Sequence, residues 1–131
     1  MAEPPSRPHV LIVDDEENLR VSLGQILSLD YDVAVCASGR EALALIEGGR
    51  RFEAILCDLM MPGMSGMDFY ESLTALAPDQ TARVVFLTGG AFTPRARDFL
   101  RAVSNPHLEK PFEVDELRAV VADAAARATG P

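Results

Sequence analysis

Acidic, hydroxyl and ammonium side chains follow four separate apolar runs of this sequence. They occur in the segments Asp14-Asp15-Glu16-Glu17, Asp58, Thr88-Gly89-Gly90 and Lys110-Pro111. If the runs are parallel strands, their carboxyl ends meet at one end of the sheet, which is where open α/β sheets bind ligands. The four segments then predict one reaction site with several carboxylates, one ammonium group and one hydroxyl.

Each of these residues also has an ordinary structural interpretation when it is considered alone. An acidic segment commonly caps a helix and offsets its dipole, and an aspartate such as Asp58 commonly begins a turn. Thr88 could be a strand residue, and Lys110 could be a surface base whose aliphatic stem packs on apolar neighbours. Because four unrelated coincidences would have to fall at one end of the sheet, we favour a common functional interpretation.

A cluster of this composition could transfer a phosphoryl group. Carboxylates held close together repel one another unless a cation lies between them, and Mg²⁺ prefers such oxygen ligands. Asp58 could then be both a metal ligand and the nucleophile that forms an aspartyl phosphate. Lys110 and Thr88 would stabilise the charge on the phosphoryl oxygens, and Gly89 and Gly90 would let the backbone approach them.

The composition narrows the class of protein further. The chain has 131 residues, of which 48% are hydrophobic, and this fits one domain with a buried core. A net charge of -8 disfavours direct binding of nucleic acid, whose phosphates it would repel. The apolar runs are too short for a membrane segment, and no secretory signal is evident at the N-terminus. We therefore expect a cytoplasmic protein.

Lysine and cysteine are both rare in the chain. Eleven of the 12 basic residues are arginine, and the single lysine is Lys110. Cys36 and Cys57 are too few for a disulfide framework, so we expect both to be buried, reduced and structural.

Five apolar or β-branched runs predict strands, at 9–13, 32–36, 53–57, 83–88 and 107–109. The first four are almost continuously hydrophobic, a pattern typical of strands buried on both faces of a parallel sheet. Helical periodicity predicts five helices, at about 17–29, 38–47, from 65 onwards, 93–102 and 114–128. This alternation predicts right-handed crossovers and a parallel sheet covered on both sides.

Four motifs, in this order and at this spacing, resemble the receiver domains of two-component response regulators. They are Val10-Leu11-Ile12-Val13-Asp14-Asp15-Glu16, Asp58-Leu59-Met60-Met61-Pro62-Gly63-Met64-Ser65-Gly66, Phe86-Leu87-Thr88-Gly89 and Lys110-Pro111-Phe112. The resemblance implies a flavodoxin-like, CheY-like α/β fold: three layers, with a doubly wound five-stranded parallel sheet of order 2-1-3-4-5 and five helices. Residues 8–127 would form the receiver domain, 1–7 a disordered or linker N-terminus, and 128–131 a C-terminal tail.

The resemblance also implies which residues bind phosphate and metal. Asp58 corresponds to the phospho-accepting aspartate, and Thr88, Gly89 and Lys110 to the residues that bind the phosphoryl group, with Thr88 as the switch hydroxyl. The implied ligands of Mg²⁺, for which Mn²⁺ could substitute, are Asp14, Asp15, Asp58 and the backbone carbonyl of Met60. The Lys110–Pro111 bond is expected to be cis.

Some positions depart from the commonest family pattern. His107 stands where Tyr or Phe often acts as a second switch residue, and its ring could swing inward or remain at the strand edge. The segment Ser104-Asn105-Pro106 resembles receivers attached to hybrid sensor kinases. Met60 and Gly90 stand where the family tunes dephosphorylation, and neither side chain can orient an attacking water.

These roles imply a signalling domain and not an enzyme, with phosphorylation and dephosphorylation of itself as its only chemistry. The expected donor is a histidine kinase or a phosphotransfer domain. Phosphorylation would change the face formed by the fourth helix, the fifth strand and the fifth helix, for a protein partner, or the phosphoryl group would be relayed. We expect a monomer or a weak phosphorylation-dependent dimer.

Two other classes of protein stay open at this point. The first is an interaction module that works without phosphorylation, although such modules usually lose an acid or the lysine. The second is a phosphohydrolase with an aspartate nucleophile. That class uses Asp-x-Asp, and Asp58-Leu59-Met60 places methionine where the second acid belongs.

Overall fold

The structure, a computed structural model, describes residues 7–89 and 93–129 of the chain. Its strands are β1 His9–Val13, β2 Asp32–Cys36, β3 Ala54–Asp58, β4 Val84–Thr88 and β5 His107–Glu109. Its helices are α1 Glu17–Leu27, α2 Gly39–Glu47, α3 Gly66–Leu76, α4 Pro78–Thr81, α5 Pro94–Ala102 and α6 Val114–Thr129. None of these helices is both long enough and apolar enough to cross a membrane.

The five strands run parallel in one sheet, in the order β2-β1-β3-β4-β5. This confirms the predicted sheet and its order. Residues along the inner strands point alternately into two apolar cores, one covered by α2, α3 and α5 and the other by α1 and α6. Because all strands share one direction, the carboxyl ends of β1, β3, β4 and β5 lie at the same end of the sheet.

Three details of the predicted elements were wrong. The described residues contain six helices and not five, because Pro78–Thr81 forms one additional turn between α3 and β4. α1 ends at Leu27 and not at 29, since the N–H groups of Asp30 and Tyr31 both turn back to the Leu27 carbonyl. β2 is an edge strand and is not buried on both faces: Val35 is 51% exposed.

Both cysteines are free and buried, as predicted. Burial raises the pKa of the Cys36 thiol to about 11, and it raises the pKa of the Cys57 thiol as well. Since the thiolate is the reactive form, both side chains are inert at neutral pH and contribute to packing.

Candidate functional site

The carboxyl ends of β1 and β3 bring three carboxylates together. Asp14 and Asp15 follow β1 directly, and Asp58 is the last residue of β3. Each residue offers one carboxylate oxygen, and the three atoms lie within 4.8 Å of one another. Asp14 is fully buried and Asp58 is 6% exposed, whereas Asp15 is exposed. The cluster therefore faces solvent on the side of Asp15.

Lys110 reaches this cluster from the loop that follows β5. Its Nζ lies 3.1 Å from Oδ2 of Asp14 and 3.5 Å from Oδ2 of Asp58. Its backbone N–H donates to the Thr88 carbonyl, and the Lys110–Pro111 peptide bond is cis, as expected. Burial alone would lower the pKa of Lys110, but the hydrogen bond to Asp14 and the charge of Asp58 outweigh burial and raise it. The ammonium group is thus held in its charged form against two carboxylates.

Asp58 carries a charge for which its surroundings compensate only in part. Burial raises the pKa of its carboxyl group from 3.8 to about 6, and the charges of Asp14 and Asp15 raise it too. Lys110 acts in the opposite direction, as does the N–H of Met60, which donates to Oδ1 at 3.3 Å. At neutral pH the carboxylate is therefore mostly ionised, but in surroundings that disfavour its charge.

This donor set fits a divalent cation. Three carboxylates and one ammonium group leave a formal charge of -2, since three negative charges meet one positive charge. Clustered carboxylate oxygens are the ligands that Mg²⁺ prefers. A cavity of about 220 Å³ lies beside the cluster, and it is lined by Glu16, Asp58, Met60, Gly89 and Lys110.

The charge on Asp58 predicts that Asp58→Asn stabilises the metal-free protein. An acid whose pKa is raised on folding stabilises the fold below its ordinary pKa, and this contribution is lost as the pH rises through the folded-state pKa. The shift from 3.8 to about 6 corresponds to about 3 kcal/mol at pH 8. In urea unfolding in EDTA, Asp58→Asn should have a higher free energy of unfolding than the wild type at pH 8. This difference should shrink towards pH 4. An unchanged or lower stability at pH 8 would contradict the assigned environment of Asp58.

Thr88 is buried at the end of β4, and its hydroxyl is hydrogen-bonded to the backbone of the neighbouring strand. Oγ1 donates to the carbonyl of Leu108 in the neighbouring strand at 3.4 Å. To contact a group on Asp58, the hydroxyl would have to exchange this partner. Gly89 follows at the end of β4, where it is exposed and lines the cavity. Gly90 lies outside the described residues.

His107 does not join the cluster. It is the first residue of β5, the edge strand on this side of the sheet, and it lies in register with Phe86 of β4. Its side chain is exposed. Its assignment as a switch residue therefore stays a prediction.

Two residues that support the site had no role assigned from the sequence. A Cβ on Gly66 would lie 2.6 Å from the carbonyl oxygen of Asp58 and 2.8 Å from Cα of Leu59, so only glycine allows α3 to pack against this backbone. Arg20 donates from Nη1 to the carbonyl of Asp14 at 2.8 Å. Gly66 is the last residue of the motif that begins at Asp58, but the contacts of Gly66 and Arg20 both depend on the folded geometry.

Comparison with known proteins places this architecture in one family. Residues 10–122 match the response regulator receiver domain, and the chain belongs to that family of two-component signalling domains. The chain is 36% identical over 113 residues to the uncharacterized transcriptional regulatory protein YkoG of Bacillus subtilis (strain 168). The aligned region covers 85% of this chain and 48% of YkoG. The chain thus spans about half the length of that relative.

Two further comparisons cover nearly the whole of the other protein. Sporulation initiation phosphotransferase F of Bacillus subtilis (strain 168) is 27% identical over 113 residues, which are 86% of this chain and 89% of that protein. The crystal structure of a CheY-like response regulator receiver domain protein from Methanospirillum hungatei JF-1 matches with a TM-score of 0.82 and 29% identity. That match covers 94% of this chain and 97% of the other.

Proposed function

We propose that this domain accepts a phosphoryl group on Asp58 in a Mg²⁺-dependent reaction. The donor would be a phosphohistidine on a partner histidine kinase or phosphotransfer domain. One observation carries the proposal: the buried Asp58 carboxylate lies beside a cavity, 3.5 Å from the Lys110 ammonium group and within 4.8 Å of carboxylate oxygens of Asp14 and Asp15. A nucleophile, a fixed cation and a set of metal ligands therefore share one space.

The metal ligands would be Asp14, Asp15, Asp58 and the backbone carbonyl of Met60. Both carboxylate oxygens of Asp14 already accept hydrogen bonds, one of them from Lys110, whereas Asp15 is exposed. We therefore assign Asp15 as the more direct ligand. Mg²⁺ would neutralise charge on the carboxylates and phosphoryl oxygens when it is bound, and Mn²⁺ is expected to substitute because it accepts the same oxygen ligands.

In the reaction, an oxygen of Asp58 would attack the phosphorus atom of the donor. The new P–O bond forms as the P–N bond to the donor imidazole breaks, and the nitrogen keeps the electron pair. The Lys110 ammonium would bind one phosphoryl oxygen. The Thr88 hydroxyl would exchange its bond to Leu108 for a bond to another phosphoryl oxygen.

Movement of Thr88 would couple the site to the face formed by α5, β5 and α6. The phosphoryl group adds about -1.5 to -2 charges and three acceptor oxygens, and His107 would rotate towards the space that Thr88 leaves. The result is a shift between two packings of one fold. A protein partner would recognise the changed face, or the phosphoryl group would be passed on, an output supported by the likeness to a protein named a phosphotransferase.

We further propose that the receiver domain extends over residues 8–127, between a linker at 1–7 and a tail at 128–131. In solution it would be a cytoplasmic monomer or a weak phosphorylation-dependent dimer. The match to the family, over residues 10–122, lies inside the proposed domain.

Phosphorylation by small donors tests the proposed function. After incubation with acetyl phosphate and Mg²⁺, intact-mass spectrometry should show one added phosphate, and EDTA should prevent the addition because the metal ligands then carry uncompensated charge. Phosphoramidate serves as a second donor that resembles the P–N bond of phosphohistidine. No adduct with either donor in Mg²⁺, or equal labelling with and without EDTA, would contradict the proposal.

A further inference from the structure

Each backbone and carboxylate polar atom of Asp14 has a hydrogen-bond partner. Its N–H donates to the Cys36 carbonyl at 3.2 Å, Oδ1 accepts from the N–H of Glu16 at 2.9 Å, and Oδ2 accepts from Nζ of Lys110 at 3.1 Å. The remaining atom is the carbonyl oxygen, which accepts from Nη1 of Arg20 at 2.8 Å. Because Asp14 is fully buried, losing one of these partners leaves a polar atom without compensation.

The carbonyl that Arg20 binds belongs to the peptide group between Asp14 and Asp15. A peptide group is planar, so a hydrogen bond that fixes its carbonyl also restricts the directions in which the chain leaves it on both sides. The pairing of β1 with both neighbouring strands ends at Val13, so the ladder does not hold this peptide. The N–H of Glu16 spans this peptide by donating to Oδ1 of Asp14, and Arg20, in the first turn of α1, binds its carbonyl directly.

We propose that Arg20 is a positioning residue for the magnesium site, because its hydrogen bond to the Asp14 carbonyl sets the spacing between the Asp14 and Asp15 carboxylates. The inference rests on the proposed function, since it takes these carboxylates as the metal ligands. Arginine suits the role because its guanidinium is always charged and makes a charge-assisted hydrogen bond with a fixed direction. Asp15 depends most on this bond because its exposed side chain has little packing to orient it.

Isothermal titration calorimetry with MgCl₂ tests the inference on the full chain. Arg20→Ala should weaken Mg²⁺ binding about tenfold, as is usual when a residue that orients metal ligands is lost. Arg20→Lys keeps a charged donor and should recover part of the loss. In phosphorylation by acetyl phosphate, the Mg²⁺ concentration for half-maximal rate should rise by the same factor in Arg20→Ala, while the rate at saturating Mg²⁺ stays near that of the wild type.

The matched control is Arg83→Ala, which removes the same charge beside the amino end of β4, away from the site. Unchanged Mg²⁺ affinity in folded Arg20→Ala, or an equal loss in Arg83→Ala, would overturn the inference. If urea unfolding shows that Arg20→Ala does not fold, Arg20→Met replaces it, because methionine keeps a long apolar stem but has no hydrogen-bond donor, and wild-type affinity in that variant has the same meaning.

The two proposals fail in different ways. A wild-type protein that binds Mg²⁺ but takes up no phosphate would refute the proposed function, and the calorimetric result for Arg20 would still decide the inference. A wild-type protein that binds no Mg²⁺ would refute both.

Discussion

The Asp58→Asn variant is expected to remain folded and to take up no phosphate from acetyl phosphate and Mg²⁺. An amide cannot replace the carboxylate as a nucleophile towards phosphorus, and the substitution also removes one proposed metal ligand. Because the change is nearly isosteric and removes a disfavoured buried charge, the loss would not reflect unfolding. Intact-mass spectrometry measures the uptake, and urea unfolding verifies the fold.

The matched control for this prediction is Asp32→Asn, which makes the same chemical change at the exposed amino end of β2, at the opposite end of the sheet. This control should be phosphorylated like the wild type. Labelling of Asp58→Asn at the wild-type level would remove Asp58 from the acceptor role. Turnover of p-nitrophenyl phosphate by the wild type would instead favour a phosphohydrolase.

A second large effect is expected from Lys110→Met, which should destabilise the protein in EDTA by about 3 kcal/mol, the lower end of the range for breaking a buried ion pair. The substitution leaves Asp14, fully buried, and Asp58, nearly so, without their ammonium partner. Mg²⁺ should restore part of the stability, because a cation between the carboxylates replaces the missing positive charge. Urea unfolding with and without millimolar Mg²⁺ measures both effects.

Two comparisons make the Lys110 prediction specific. Arg118→Met removes a positive charge from an exposed position of α6 and should change stability little. In an Asp58→Asn background, Lys110→Met should cost less than in the wild type, because one of the two uncompensated charges is then absent. Equal costs in the two backgrounds would show that Lys110 and Asp58 do not interact.

The main features of the site could be predicted because they depend on where polar residues end apolar runs. Parallel strands align their carboxyl ends, so Asp14, Asp58, Thr88 and Lys110 were expected to meet although Lys110 and Asp14 are 96 positions apart. The strand order could not be predicted in this way, because periodicity alone does not specify it. The resemblance to a family implied it. The same resemblance implied the cis bond before Pro111.

Other features depend on contacts through space that no local pattern records. Gln80 is polar yet only 4% exposed, because its side-chain amide pairs with both backbone groups of Phe52 at 2.9 and 3.2 Å. The single-turn helix around Gln80 has no apolar stripe to reveal it. The apolar side chain of Val35 suggests a core residue, but it is exposed because it lies on the edge strand β2. Sheet order, and not composition, decides which strand is outermost. The contacts of Arg20 and Gly66 likewise appear only in the folded chain.

Chemical mapping of the phosphorylated residue tests the central claim most directly. Borohydride reduces an acyl phosphate to an alcohol, so the protein would be phosphorylated with acetyl phosphate in Mg²⁺, reduced, digested and sequenced by tandem mass spectrometry. We predict conversion of residue 58 to homoserine, with Asp14 and Asp15 unmodified. Reduction at another carboxyl group, or phosphate recovered on a serine, threonine or histidine, would contradict the assignment of Asp58 as the acceptor.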